Sequence, residues 1–181
     1  LAALDQPILN QLRPELDFSK IKRPAVTLTL DSTEPVHKGS FSRRTELQEI
    51  KFAQPAKGRY FCLESLNAHD GKPFAAIAEL DLLDESGNSL SHEGWLIANV
   101  DSEERVQDDG TAENAIDGQT ANYWLSESTA TQPNHPHRIV LDLGQSVTIT
   151  GFRYTPRQGN NSVTGRIKDY RVYVGDGLVQ K

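Results

Sequence analysis

From residue 25 onward the chain is a succession of short apolar runs divided by turn residues, and this pattern most constrains its fold. Val26, Leu28 and Leu30 alternate with Ala25, Thr27 and Thr29, as expected of a strand with one buried face. Short strands are expected at residues 39–42 and 49–52, the second ended by Gln54-Pro55, then at 59–65 and along a mostly buried run at 74–83. Asp84-Glu85-Ser86-Gly87-Asn88 reads as a hairpin-like turn. Further strands are expected at 95–100, 138–143, 146–156 and 169–174. No helix of about 10 to 15 residues separates the later strands, which favours an all-β antiparallel sandwich over a βαβ arrangement.

Residues 1–24 differ. Leu4, Ile8, Leu12 and Leu16 recur every fourth position, and Pro7 and Pro14 limit any helix to short turns, so a partly helical lead-in or linker is expected. The remaining residues, 25–181, are expected to form one domain, a size compatible with 181 residues in all. A hydrophobic content of 36% suffices for a sandwich, in which only alternate residues of each strand are buried.

A net charge of −6 and the lack of any basic run argue against nucleic acid, whose binding requires clustered Lys and Arg. No apolar run approaches the roughly 20 residues that cross a bilayer, so membrane insertion is not expected. The single cysteine, Cys62, lies in the apolar run 59–63 and is expected to pack as a small hydrophobe. With neither a signal peptide nor an initiating methionine, the chain reads as a piece excised from a longer protein.

Residues 112–142 carry the most distinctive motif. Asp117-Gly118 makes a tight turn because glycine accepts positive φ, and a carboxylate there can aim its oxygens inward. The succession A-x-N-A-I-D-G, Y-W, H-P-H-R-I-V-L-D-L-G, I-T-G-F-R-Y-T-P-R-Q and R-I-K-D-Y-R-V-Y-V resembles the coagulation factor V/VIII type C (discoidin-like) domain, and within it carbohydrate-binding module family 32. The resemblance runs from about Trp95 to Gly177. It implies a jelly-roll sandwich of the galactose-binding-domain kind, with a structural calcium and a sugar site on loops at one end.

The stretches H-K-G-S-F, Q-E-I-K-F-A-Q-P-A-K-G-R-Y-F-C-L-E and F-A-A-I-A-E-L resemble the second half of the same domain, yet here they come first. Either the domain is circularly permuted, with halves 25–91 and 92–181 sharing one sandwich, or each half belongs to a separate, incomplete domain. Permutation is favoured, because half a sandwich would leave sheet edges and an apolar face uncovered. It predicts that Gly177 ends near Val36.

Calcium takes roughly six to eight oxygen ligands, commonly carboxylates and carbonyls. Asp117 is the first candidate, and by family position Glu79 is the second carboxylate. Asn122 stands where the family has threonine, Thr120 is a further candidate, and backbone carbonyls near Asn114, Gln119 and Ala78 would complete the shell. The alternative is that Asp117 merely caps its own turn and Glu79 is an ordinary surface residue. A saturated oxygen shell would leave no position for activating water, so such a metal is structural.

Sugar recognition needs polar groups that grip hydroxyls beside an aromatic ring that covers the less polar face. The resemblance assigns the gripping arginine to Arg157, with Asn160 or Asn161 close behind, and Phe74 is the chosen stacking ring; the alternatives are a structural salt bridge for Arg157 and simple core packing for Phe74. Many relatives carry histidine after the tryptophan; here that residue is Leu125, and Glu127 is the candidate replacement contact. Trp124 is expected to anchor the core or a loop. His135 and His137 have no third zinc ligand at metal-site spacing. The acidic run 101–110 reads as a solvated surface turn.

The resulting expectation is a non-catalytic carbohydrate-binding module, for galactose- or N-acetylgalactosamine-type termini, covalently joined to a catalytic domain in a secreted, periplasmic or cell-surface protein, with a bacterial source favoured. The alternative is a structural spacer of a glycoside hydrolase, lyase or sulfatase that has lost its sugar, for which Leu125 is the argument. No Ser-His-Asp arrangement or paired acid and base carboxylates suggest catalysis, and no loop combines Trp/Leu spikes with basic residues as membrane docking requires.

Overall fold

In a computed structural model the described residues are 28–30, 34–159 and 162–180. The expected lead-in at 1–24 and both Asn160 and Asn161 lie outside them. Ten strands follow in chain order: β1 (Leu28–Leu30), β2 (His37–Ser40), β3 (Gln48–Ser65), β4 (Ala76–Ile77), β5 (Glu79–Leu83), β6 (Leu96–Val100), β7 (Trp124–Leu125), β8 (His137–Thr155), β9 (Asp169–Gly175) and β10 (Leu178–Gln180). One turn of 3-10 helix, Ala112–Ala115, lies between β6 and β7.

Two long bent strands build the sandwich. The C-terminal part of β3 pairs with the start of β8 and with β9, while β2 extends this layer through β9 and β6 extends it through β8. The N-terminal part of β3 pairs with the end of β8, which β5 borders on its other side. All of these pairings are antiparallel, and the two portions enclose one core. Phe61, Leu63, Ile139, Leu141 and Val172 come from one side and Leu80, Leu82, Ile149, Phe152 and Tyr154 from the other. Phe41 stacks between Tyr154 and Tyr170, each at 4.1 Å between ring centroids.

The expected breaks at Gln54-Pro55 and between 143 and 146 are not strand ends. Both are bulges inside continuous strands. Register shifts between Lys51 and Ala56, where Pro55 donates no ladder hydrogen bond, and between Gly58 and Tyr60, opposite the Gly144 turn at φ 78°, bend the strands from one layer into the other. The expected strand at 74–83 is instead divided at Ala78. β4 pairs with β7, β5 pairs with β8, and the Ala78 N–H bonds to the Thr155 carbonyl at 2.9 Å.

Strands of the first half therefore alternate with strands of the second in one sheet. The Val36 N–H donates to the Val172 carbonyl at 2.9 Å, β2 runs antiparallel to β9, and β1 pairs with β10. His37 thus faces Val172 with Val36 adjoining, and Gly177 lies further along the same antiparallel ribbon, beside Leu178, which pairs with Leu30. On the outer face of the sheet, Leu30 packs with Cys62 and Val140. Cys62 is 2% exposed, and burial pushes its thiol up to about 12, which keeps it an unreactive packing residue.

Candidate functional site

The loops at one end of the sandwich are ordered by a carboxylate that the sequence hides in an acidic run. Residues 101–110 are not a solvated turn throughout, because Glu104 is fully buried. One of its oxygens accepts the N–H groups of Val106 at 2.7 Å and Gln107 at 3.1 Å. The other accepts the Ser128 N–H at 2.9 Å and the hydroxyls of Ser128 and Thr129 at 2.8 Å. Burial alone would raise the acid's pKa, but these donors outweigh it and hold Glu104 down to about 2. The charge at this position joins two loops that share no strand.

Within this frame Arg157, on the loop after β8, lies over the Tyr123 ring, its guanidinium carbon 4.0 Å from the ring centroid. The guanidinium donates to the Tyr123 hydroxyl, which in turn donates to Asp108; a second approach from Arg157 to Asp108 measures 3.4 Å. Burial and the bond to Asp108 push the Tyr123 hydroxyl up to about 12, so it remains a neutral donor. Asp108 also lines an open depression of about 540 Å³, together with Arg105, Val106, Gln107, Asp109 and Thr111. The sequence motif located Arg157 but missed Tyr123 and Asp108, since only folding brings residues 108, 123 and 157 together. The adjacency of Tyr123 to Trp124 was the one available signal.

Leu125 is 3% exposed and packs under this loop at Gly110, where an added Cβ would come within 2.9 Å of the Leu125 Cβ. It therefore supplies packing rather than a polar contact. Trp124 is buried and donates its indole N–H to the Ser102 carbonyl at 3.0 Å, as a loop anchor would. Glu127 turns back on its own loop and accepts from the N–H groups of Thr129, Ala130, Thr131 and Gln132 and from the Thr131 hydroxyl. Against the raising effect of burial, these bonds hold its carboxyl down to about 2. Glu127 is thus a loop-ordering residue, its oxygens already engaged.

Phe74 is half-buried, outside the main core cluster, and its backbone is clamped on both sides. The Ala75 N–H donates to the Ser126 hydroxyl at 3.0 Å, and the Pro73 carbonyl accepts from His137 Nε2 at 2.8 Å. His137 is fully buried, and its other nitrogen, Nδ1, donates to Asp101 at 2.7 Å. Two acceptors on one imidazole require the doubly protonated ring, and both nitrogens are committed, so no zinc pair with His135 forms. Burial lowers the His137 pKa, but Asp101 and the Pro73 carbonyl outweigh it and leave the net shift upward. The stabilisation is therefore complete below the ordinary value of 6.5 and is lost as pH rises through the raised one. His137→Gln is expected to cost roughly 1–3 kcal/mol at pH 6 and to flatten this pH dependence in urea denaturation; an unchanged slope would remove His137 as its source.

At the neighbouring turn, Glu79 at the start of β5 is 5% exposed, and neither of its oxygens has a hydrogen-bond partner. The Gly118 N–H approaches it without completing a hydrogen bond, and Asp117 adds a like charge. Burial, the largest influence, pushes Glu79 up to about 7, partly opposed by His92, whose Nδ1 stands 3.8 Å away. The Asn122 side-chain oxygen is likewise buried and unpartnered, while its amide donates to Asp117 at 2.6 Å. Asn114 is a clasp, its amide donating to the carbonyls of Asp109 at 2.8 Å and Tyr123 at 3.2 Å. Gln119 and Thr120 are exposed, and the Gln119 N–H donates to Asp117 at 2.8 Å. Ala78 is buried beside Glu79.

Among the described residues no group of three or more His, Cys, Asp or Glu is placed to hold a metal. A cation here would rest on two carboxylates, with amide and carbonyl oxygens completing the shell. A buried, unpartnered carboxylate beside an unpartnered amide oxygen fits such an oxygen-seeking ion. Among the described residues no helix is long and apolar enough to cross a membrane.

The sequence pattern of the F5/8 type C domain family matches residues 98–178. A sialidase of Micromonospora viridifaciens is 37% identical over 147 residues, which take in 78% of this chain and 21% of that protein. The chain thus spans about a fifth of the relative's length. The antiparallel sandwich, the motif-bearing loops at its end and the matched stretch agree with one another: residues 98–178 of this chain are similar to the F5/8 type C domain family.

Proposed function

We propose that this is a non-catalytic carbohydrate-binding module of a glycan-degrading enzyme, of the family 32 kind, recognising neutral galactose- or N-acetylgalactosamine-type termini. The observation that carries the reading is Arg157, held over Tyr123 and hydrogen-bonded through it to Asp108, a preorganised set of donors and acceptors beside an open depression. Phe74, on a loop fixed by His137 and Ser126, is the ring proposed to cover the sugar's apolar face. Asn160 or Asn161 would add the paired amide contacts. The similarity to a sialidase supports a covalently linked catalytic domain and a secreted or cell-surface setting. The module would act by raising that domain's effective concentration at its substrate.

A structural calcium is proposed at Glu79, Asp117 and Asn122, supported by the unpartnered oxygens of Glu79 and Asn122. Residues 25–91 and 92–181 are proposed to be one sandwich in permuted order, supported by the alternation of their strands in one sheet. The spacer alternative rests on Leu125, yet that residue's burial leaves the Arg157 cluster intact.

Arg157→Ala is expected to weaken galactose binding about 10- to 100-fold in calorimetric titration, the loss that goes with removing a charged hydrogen-bonding group. Unaltered affinity would reject Arg157 as the gripping residue.

A further inference from the structure

Next to the Arg157–Tyr123–Asp108 cluster lies an open depression that shares Asp108 with it. Its volume of about 540 Å³ falls inside the range of about 300–1,000 Å³ typical of small-molecule sites. It is formed within one loop, whose residues Arg105, Val106, Gln107, Asp108, Asp109 and Thr111 line it. Asp108 belongs to both places, since it lines the depression and also receives the Tyr123 hydroxyl beneath Arg157.

We propose that this depression is a second sugar subsite, which receives the ring next to the terminal one, so that the ligand is a neutral oligosaccharide whose glycosidic linkage crosses Asp108. The inference rests on the reading of Arg157 as the terminal-sugar contact and extends it.

Three observations argue for a built subsite rather than a slack surface loop. The loop is pinned from beneath, because buried Glu104 takes the N–H groups of both Val106 and Gln107 and the Glu104 backbone bonds to Gly110 at 2.9 Å. A ligand therefore meets a shape already ordered, and little entropy is lost on binding. Val106 is displayed at 69% exposure at the edge of this concavity. There it offers an apolar contact of the kind that the C–H face of a pyranose accepts, flanked by the exposed side chains of Gln107 and Asp109, which can meet hydroxyls. The charges point to a neutral ring. Asp108 is met by Arg157 at 3.4 Å and Arg105 by Glu103 at 2.9 Å, so neither cation is unopposed toward a carboxylate or sulfate, and the exposed Asp109 would repel one.

The test is calorimetric titration of the whole chain with galactose and with neutral di- and trisaccharides that carry galactose at the non-reducing end. The disaccharide is expected to bind about 5- to 10-fold more tightly than the monosaccharide. Val106→Asp and Gln107→Ala, both at exposed positions, are expected to reduce the disaccharide to the monosaccharide's affinity while the monosaccharide's own affinity stays as it was. Equal affinity of wild type for the two sugars would overturn the second subsite and leave the first standing, as would variants that weaken both sugars alike. Failure of wild type to bind either sugar would overturn the reading of Arg157 and this inference with it.

Discussion

Replacing Glu104 by alanine is expected to remove about 3–5 kcal/mol of folding stability at pH 7 and to abolish ligand binding, although residue 104 touches no ligand. The magnitude follows from what the carboxylate holds. Five donors converge on it in a fully buried position, and truncation leaves the Val106, Gln107 and Ser128 N–H groups without the acceptor that holds them. Because the same bonds set the shape of the loop bearing Asp108, binding should fail with stability. Glu104→Gln should recover part of the loss, since its amide oxygen still accepts while its NH₂ confronts a donor. The pH dependence has a definite sign. Glu104 is held down to about 2 from an ordinary 4.5, so its contribution is complete above about pH 4.5 and drains away as pH falls toward 2. Urea denaturation of wild type and both variants at pH 7 and pH 3 measures this. A Glu104→Ala protein as stable as wild type at pH 7 would show that the loops are ordered by something else.

Calcium is expected to raise the melting temperature of the metal-free protein by roughly 5–10 °C when present at about 100 times its dissociation constant. That concentration corresponds to about 2.7 kcal/mol of linkage, and each kcal/mol shifts a domain of this size by about 2–4 °C. The informative variant is Glu79→Gln, for which two opposite changes are expected. Without calcium it should melt above wild type, because a buried carboxylate with no hydrogen-bond partner is replaced by a neutral amide. With calcium it should gain little or nothing. Magnesium should substitute poorly, being smaller and reluctant to shed its water. Differential scanning calorimetry in chelator and in calcium reads both effects, and a Glu79→Gln protein that still gains the full shift would place the ion elsewhere.

The two predictions differ in what the chain disclosed beforehand. Glu79 and Asp117 were legible because each sits in a short motif, A-I-A-E-L and A-I-D-G, whose pattern survives in the linear text. Glu104 was not, since it stands among Asp101, Glu103, Asp108 and Asp109 and nothing local marks it as the buried one. Its partners Ser128 and Thr129 are more than twenty residues away. Tyr123 and Asp108 were missed for the same reason. Glu127, expected as a ligand contact, is engaged by its own loop, because what a side chain meets depends on the loop geometry around it, here four backbone N–H groups turned toward one carboxylate.

By itself the sequence determined the strand content, the antiparallel class and the turn at Gly118, because period-two alternation and the tolerance of glycine for positive φ are properties of neighbouring residues. It also singled out Arg157, Glu79 and Asp117, on which the proposed sugar and cation sites rest. Only the tertiary structure decided that residues 48–65 and 137–155 are continuous bent strands, that strands of the two halves alternate in one sheet, and which acidic side chains are buried. Those outcomes depend on long-range hydrogen bonding and on desolvation, which are fixed only when segments distant in the chain close on one another and exclude water.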